Sequence, residues 1–518
     1  MKVKNIRYYM MSGLAAALVL LQACALESEQ FSEISPKLYP KTARDAEDLL
    51  TGNVYAVFRM DDYRPIFNRA NGLLVFSDIA TDYGMCAWGF PGLEWGPLEF
   101  AKVTPSIRYA VGINYTENNT PPSFFAKMLN TIERIKVMNL NEDVKKKYIA
   151  EAQCGLGFLG YELYDYYGPQ IVPNGEALKN PQAATILPRL SEAEMIKFIE
   201  DNLKAAATVL PDTYLYNNES YGRFTSALCH MLLLKLYMET GQWANAITEA
   251  TELQKSKYGF ALVTTPGTSG FAKQSAYAHL FSVEGEGNSE TVWAVNCAAD
   301  PGVQYEWFPN VLSKSKNGAT AWGGFKMPRA AYNSYEAGDT RLQTMIENPT
   351  NEYGADPVKY EVNVVSGSNA RSSLDWMIFR YADVLTLYAE AIVRNGGDYT
   401  DKPLSILNQI RTRAGLTAKT TADLPTKGDF LDALLNERAK EFYWEGIRRS
   451  DLIRYGRFSE NGQYTTYKKI MKAKCTAYGQ PAPAADYNWR WFPFPESIII
   501  EGQGIIKQNQ PWGDYTGE

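Results

Sequence analysis

The sequence predicts a mostly α fold, built from helical hairpins that carry long loops and one insertion of mixed loop and strand. Three observations predict it. Apolar residues recur at spacings of three and four over several stretches, among them 123–138, 141–167 and 191–209. Two stretches, 224–253 and 381–415, each hold two such runs split by a glycine turn. Between them, 258–375 loses the helical period and becomes rich in Gly and Asn.

Taken in order, Thr42 to Phe58 reads as a first helix with Thr42 as its N-cap. Residues 77–122 are dense in Gly, Pro and aromatics without a sustained period and read as loops. Helices are expected at Ser123–Met138 and Asn141–Tyr167. The second contains Gly155, Gly157 and Gly160, each costing about 1 kcal/mol of helix propensity against alanine. Ser191 to Val209 opens on Ser191-Glu192-Ala193-Glu194, the pattern of a capping box, and stops at Pro211. Phe224 to Leu253 is a hairpin turning at Thr240-Gly241-Gln242-Trp243, with Ala246 and Ala250 following. That layout is tetratricopeptide-like, because small residues let paired helices approach. Tyr381–Asn395 and Pro403–Gly415 form a second hairpin. More than 100 residues separate the two units, so the reading is a scaffold with long loops rather than a uniform array. In the insertion, Thr291–Val295 and Tyr360-Glu361-Val362 look like strands. A structureless loop of this length is implausible, so 258–375 is expected to be a packed subdomain.

The first residues predict an envelope protein. Lys2, Lys4 and Arg7 precede an apolar run from Met10 to Leu21, too short to span a bilayer. The run ends Leu21-Gln22-Ala23-Cys24, which resembles a bacterial lipobox and makes Cys24 the expected lipidated residue. Residues 1–23 are then the signal peptide, 24–40 a tether with Glu27 and Glu29, and 41–518 a single domain. That domain divides into 41–257 (helical), 258–375 (the insertion) and 376–518 (helical, with closing loops).

With 52 basic against 58 acidic residues the chain carries a net charge of −6. It shows no basic stripe, which argues against nucleic acid as a partner. Two distant histidines (His230 and His279) and six scattered cysteines argue against a His/Cys metal centre. No cofactor is expected; the many carboxylates leave a structural calcium open. Cys154 and Cys229 fall within helical patterns and read as small buried residues. The chain has no G-x-S-x-G, H-E-x-x-H or P-loop.

The C-terminal third carries a dense set of motifs. Arg380-Tyr381-Ala382-Asp383-Val384-Leu385 continues to Tyr388-Ala389-Glu390-Ala391. Leu407-Asn408-Gln409-Ile410-Arg411-Thr412-Arg413-Ala414-Gly415-Leu416 follows. Then come Glu437-Arg438, Glu441-Phe442, Glu445-Gly446, Arg448-Arg449 and Asp451-Leu452-Ile453-Arg454, and finally Phe494-Pro495 and Gln508-Asn509. In this order they resemble the SusD/RagB-like family of nutrient-binding outer-membrane lipoproteins. Gly338-Asp339-Thr340-Arg341 and Tyr161-Glu162-Leu163, with Tyr167-Gly168-Pro169, resemble its earlier motifs; the glycine-rich 151–160 stretch departs from it.

The resemblance implies a surface-exposed, lipid-anchored protein of the outer membrane. It would bind an oligosaccharide or polysaccharide and pass it to a SusC-like TonB-dependent outer-membrane transporter, without being an enzyme. A peptide ligand and a surface glycoside hydrolase are the alternatives, the second needing two carboxylates about 5–10 Å apart. The charges from Glu437 to Arg449 invite a catalytic reading, but their three- and four-residue spacing reads as ion pairs along one helix face. Family members often build an aromatic arc from the two unmatched loop regions. Aromatic rings give sugars a flat apolar platform. The ligand-binding candidates are therefore Trp88, Trp95, Tyr305, Trp307, Trp322 and Phe325, with Asp82 and Asn310 for hydroxyl contacts. Trp243, Trp376 and Trp444 are expected in the core.

Overall fold

The computed structural model describes residues 40–58, 67, 73–87, 95–106, 121–180, 183, 185–297, 324–348, 353–361, 373–515 and 517. The lipobox, with Cys24, and the tether up to residue 39 lie outside them. Among the described residues no helix is long and apolar enough to cross a membrane.

The fold is mostly helical. Its first helix, α1 (Ala43–Asn53), is capped as expected: Thr42 accepts from the Asp45 N–H and Asp45 reaches back to the Thr42 N–H. The region read as loops, 77–122, holds the end of α2 (Leu73–Ile79), strand β1 (Met85–Cys86) and a short helix α3 (Trp95–Glu99). These elements are too short for a period to register.

Next come α4 (Pro121–Val137), α5 (Glu142–Tyr167), α6 (Glu192–Ala207), α7 (Ser226–Thr240) and α8 (Trp243–Leu253). Asn141 caps α5, and the Ser191/Glu194 capping box closes on α6. Gly241 ends α7 at φ +71°, a conformation that favours glycine. After the insertion follow α9 (Tyr381–Arg394), α10 (Lys402–Arg413), α11 (Lys427–Glu441), α12 (Arg448–Ser459) and α13 (Thr465–Ala477).

From α4 to α11 each helix packs on the next, including α8 on α9. The two hairpins are thus neighbours in space although the insertion separates them in sequence. The glycines of α5 allow this packing. A Cβ on Gly155 would stand 2.5 Å from Val54 Cγ1, and one on Gly157 would stand 2.4 Å from Leu203 Cγ. Their propensity cost is the condition for close contact with α1 and α6.

The insertion packs through two small antiparallel sheets. One has the order β1-β3-β5-β4, from β3 (Phe325–Pro328), β4 (Met345–Glu347) and β5 (Tyr353–Pro357). The other pairs β2 (Thr291–Val295) with β6 (Trp376–Arg380). Thr291–Val295 is the strand the sequence predicts. Tyr360 and Glu361 are not strand: Tyr360 is buried and donates to the Trp444 carbonyl. Trp376 and Trp444 are core, whereas Trp243 is half-buried, edge-on to Phe458 at 5.0 Å.

The predicted charge network exists, but between elements rather than along one helix face. Glu441 on α11 meets Arg380, Arg341 and Arg413, contributed by three other parts of the chain. Arg380 also binds Glu445 at 2.7 Å, Arg341 binds Glu437 at 2.7 Å, and Arg438 binds Asp451 at 2.8 Å. All are buried. Burial alone would raise the Glu441 and Asp451 carboxyls. The adjacent arginines outweigh it and hold both down to about 2. Cys154 and Cys229 are buried thiols, Sγ to Sγ 3.5 Å.

Candidate functional site

The two aromatic-rich segments singled out in the sequence share a root. In the β1–β3 ladder Met85 opposes Lys326 and Cys86 opposes Phe325. The Ala87 N–H then donates to the Gly324 carbonyl at 2.7 Å. Ala87 and Gly324, which flank 88–94 and 298–323 in sequence, therefore lie at the same end of one ladder. Cys297, which precedes 298–323 in sequence, is also held. Val295 opposes Trp376 across β2–β6, and the Cys297 N–H donates to Asp375 Oδ1 at 2.7 Å.

An aromatic floor lies beneath these roots. Phe325 stacks on Trp444 with centroids 5.3 Å apart and planes at 20°. Tyr360 donates to the Trp444 carbonyl at 3.0 Å. Phe67 packs edge-on to Trp376 at 5.7 Å and lies 5.9 Å from Trp293.

The turn before β1 is pinned by the C-terminal helices. The Gly446 N–H donates to Asp78 Oδ2 at 2.7 Å, and Tyr467 donates to the Ala80 carbonyl at 2.8 Å. The Lys474 ammonium donates to the carbonyls of Ile79, Thr81 and Gly84, at 3.1, 2.6 and 2.7 Å. Burial raises the Asp78 carboxyl to about 8. These anchors explain why the motif-rich C-terminal third and the loop roots form one unit.

An open cavity of about 280 Å³ adjoins the roots, between α1 and the end of β2. Tyr55, Arg223, Trp293 and Asn296 line it, with Glu47 and Thr51 on its α1 side. Arg223 binds both oxygens of Glu151, at 2.9 and 2.8 Å, and stands 3.6 Å from Glu47. Tyr55 donates to Glu151 and Tyr148 to Glu47. The cavity's carboxylates are thus engaged. No sequence signal marked this wall, because its charges are paired across 72 or more positions.

Of the predicted site residues, Trp88, Tyr305, Trp307, Asn310 and Trp322 lie outside the described residues. Trp95 is the first residue of α3. Asp82 has a partner: Arg448 donates from Nε and Nη2 to its two oxygens, at 2.9 Å each. Phe325 is a correction. It is 0% exposed and stacked on Trp444, because β3 turns that face inward, so it is floor and not platform. Among the described residues no group of three or more His, Cys, Asp or Glu is arranged to hold a metal ion.

The SusD family profile matches residues 333–512. The starch-binding protein SusD of Bacteroides thetaiotaomicron is 38% identical over 136 residues, 26% of this chain and 21% of that protein. A SusD-like protein of Bacteroides ovatus is 24% identical over 365 residues, 64% of this chain and 63% of that protein. Both matches thus span less than two thirds of the relative's length. Among solved structures, a SusD superfamily protein of Bacteroides vulgatus aligns over 91% of this chain and 99% of its own, with TM-score 0.71 and 17% identity. Surface glycan-binding protein A of Bacteroides thetaiotaomicron, in complex with laminarihexaose, aligns over 90% and 99%, with TM-score 0.69 and 19% identity. The C-terminal third of the chain thus matches the SusD family profile, and its fold is that of the SusD superfamily structures.

Proposed function

We propose that this protein captures a glycan at the cell surface, held by lipid at Cys24, and delivers it to a SusC-like TonB-dependent outer-membrane transporter. The observation that supports the reading is the Ala87–Gly324 hydrogen bond, which joins the residue that precedes Trp88 in sequence to one that closely follows Trp322. Rings brought together from two segments can offer a sugar several apolar faces. The names of similar proteins support the ligand class: one is a starch-binding protein, and another was solved with laminarihexaose. Capture proceeds without turnover. The carboxylates beside the open cavity, Glu47 and Glu151, are tied to Arg223, Tyr55 and Tyr148. A lipid tether raises the local concentration at the transporter, so modest affinity suffices.

The test is a glycan array and calorimetry on residues 25–518, with product analysis of each hit and with Trp88→Ala, Trp95→Ala, Trp307→Ala and Trp322→Ala. Binding without cleavage, lost in one or more variants, is the expected result. A peptide bound in place of any glycan, or cleavage products, would overturn it.

A further inference from the structure

Five cysteines lie among the described residues, and two of them meet. Cys229 on α7 donates its S–H to the sulfur of Cys154 on α5, 3.5 Å away. Both residues are 0% exposed. Cys475 and Cys297 donate instead to the carbonyls of Phe100 and Val295, at 3.7 and 3.9 Å.

The helices around the pair build this contact. α5 and α7 pack on each other, and α6 packs on both. Gly155, next to Cys154, lets α5 come close: a Cβ there would already stand 3.5 Å from Phe224 Cε2, just ahead of α7. Thr225 caps α7 one turn before Cys229 by accepting from the Leu228 N–H. An S–S bond is about 2 Å long, so the two sulfurs need to close by about 1.5 Å. In the folded protein the pair is inert, because burial raises the Cys154 thiol well above its ordinary value and the thiolate is the nucleophile. A bond between them must therefore form while the helices are still closing.

We propose that Cys154 and Cys229 are joined by a disulfide in the exported protein, made during folding by exchange with an external disulfide. This rests on the reading of residues 1–24 as an export and lipidation signal, because disulfides form and persist in the cell envelope and are rare in the cytosol. One cysteine thiolate attacks the external disulfide, giving a mixed disulfide and releasing one external thiol. The other cysteine thiolate attacks the protein sulfur of that mixed disulfide and releases the second. The two cysteines lose two electrons and two protons, and the external disulfide is reduced to two thiols. The bond spans 75 positions and encloses α6, so it restricts the unfolded chain and ties α5 to α7.

The test uses two samples. Reduced, denatured residues 25–518 are refolded with oxidised and reduced glutathione, and the full-length chain is expressed with its leader and taken from the cell-envelope fraction. Thiols are alkylated in denaturant and read by mass spectrometry. In the refolded sample three of the five cysteines should be alkylated, with the peptides of Cys154 and Cys229 linked. Cys154→Ala and Cys229→Ala should each leave four alkylated thiols. Reduction should lower the thermal midpoint of the wild-type chain and leave that of the doubly substituted chain unchanged. The envelope sample should carry the same link. An envelope protein in which the pair is unlinked, or linked to another cysteine, overturns the proposal. A full-length chain retained in the cytosol sinks the export reading; the refolded sample then decides the pair, with five alkylated thiols counting against it and the link in its favour.

Discussion

Arg448 closes a two-pronged bond onto Asp82 across 366 positions of sequence, joining the start of α12 to the turn that launches β1. Arg448 is buried, and the side chain of Asp82 is 27% exposed. Asp82→Ala would strand a buried guanidinium and should destabilise the fold by about 3 kcal/mol. A shift of that size in the urea midpoint is the expected outcome. A variant that loses glycan binding at unchanged stability would instead give Asp82 a direct ligand role.

Phe325 and Trp307 should part company in experiment. Phe325→Ala opens a hole beneath Trp444 and should cost about 3–5 kcal/mol of stability. Trp307→Ala should leave the unfolding transition in place and weaken glycan binding about tenfold or more, read by calorimetry.

Gly157→Ala should destabilise despite alanine's higher helix propensity. The added Cβ would meet Leu203 Cγ and Cδ2 at 2.4 and 2.5 Å. Propensity favours the change by about 1 kcal/mol, whereas overpacking costs about 1–3 kcal/mol. A lowered thermal midpoint is expected; a raised one would mean that α6 shifts freely.

Stability should peak on the acid side of neutrality. Glu441 and Asp451 sit at about 2, below their unfolded values near 4. Their contribution is complete above about pH 4 and is lost as pH falls toward 2. Burial holds Glu99 and Glu239 at about 7 and Glu162 at about 8, so the folded state binds more protons than the unfolded one between about pH 4 and 8. Those groups lower stability as pH rises through that window. Urea midpoints measured across the range should be highest near about pH 5. A maximum at pH 8 would contradict this.

The sequence by itself determined the local elements and the family resemblance. Capping signals placed α1 and α6, the Gly241 turn placed the α7–α8 hairpin, and the motif order from Arg380 to Asn509 carried the resemblance. These features are local or fixed by spacing, so they can be read along the chain. Only the tertiary structure decided the partners. Glu437 to Arg449 looked like ion pairs on one helix face, but Glu441 meets arginines from three other parts of the chain. Gly155 and Gly157 looked like weak points and are contact points. Phe325 looked like a platform, and Asp82 like a hydroxyl-binding group. The β1–β3 register turned the first inward, and Arg448 bound the second. The physical reason is common to all four: whether a side chain is buried, packed or paired depends on what the fold brings against it from far along the chain.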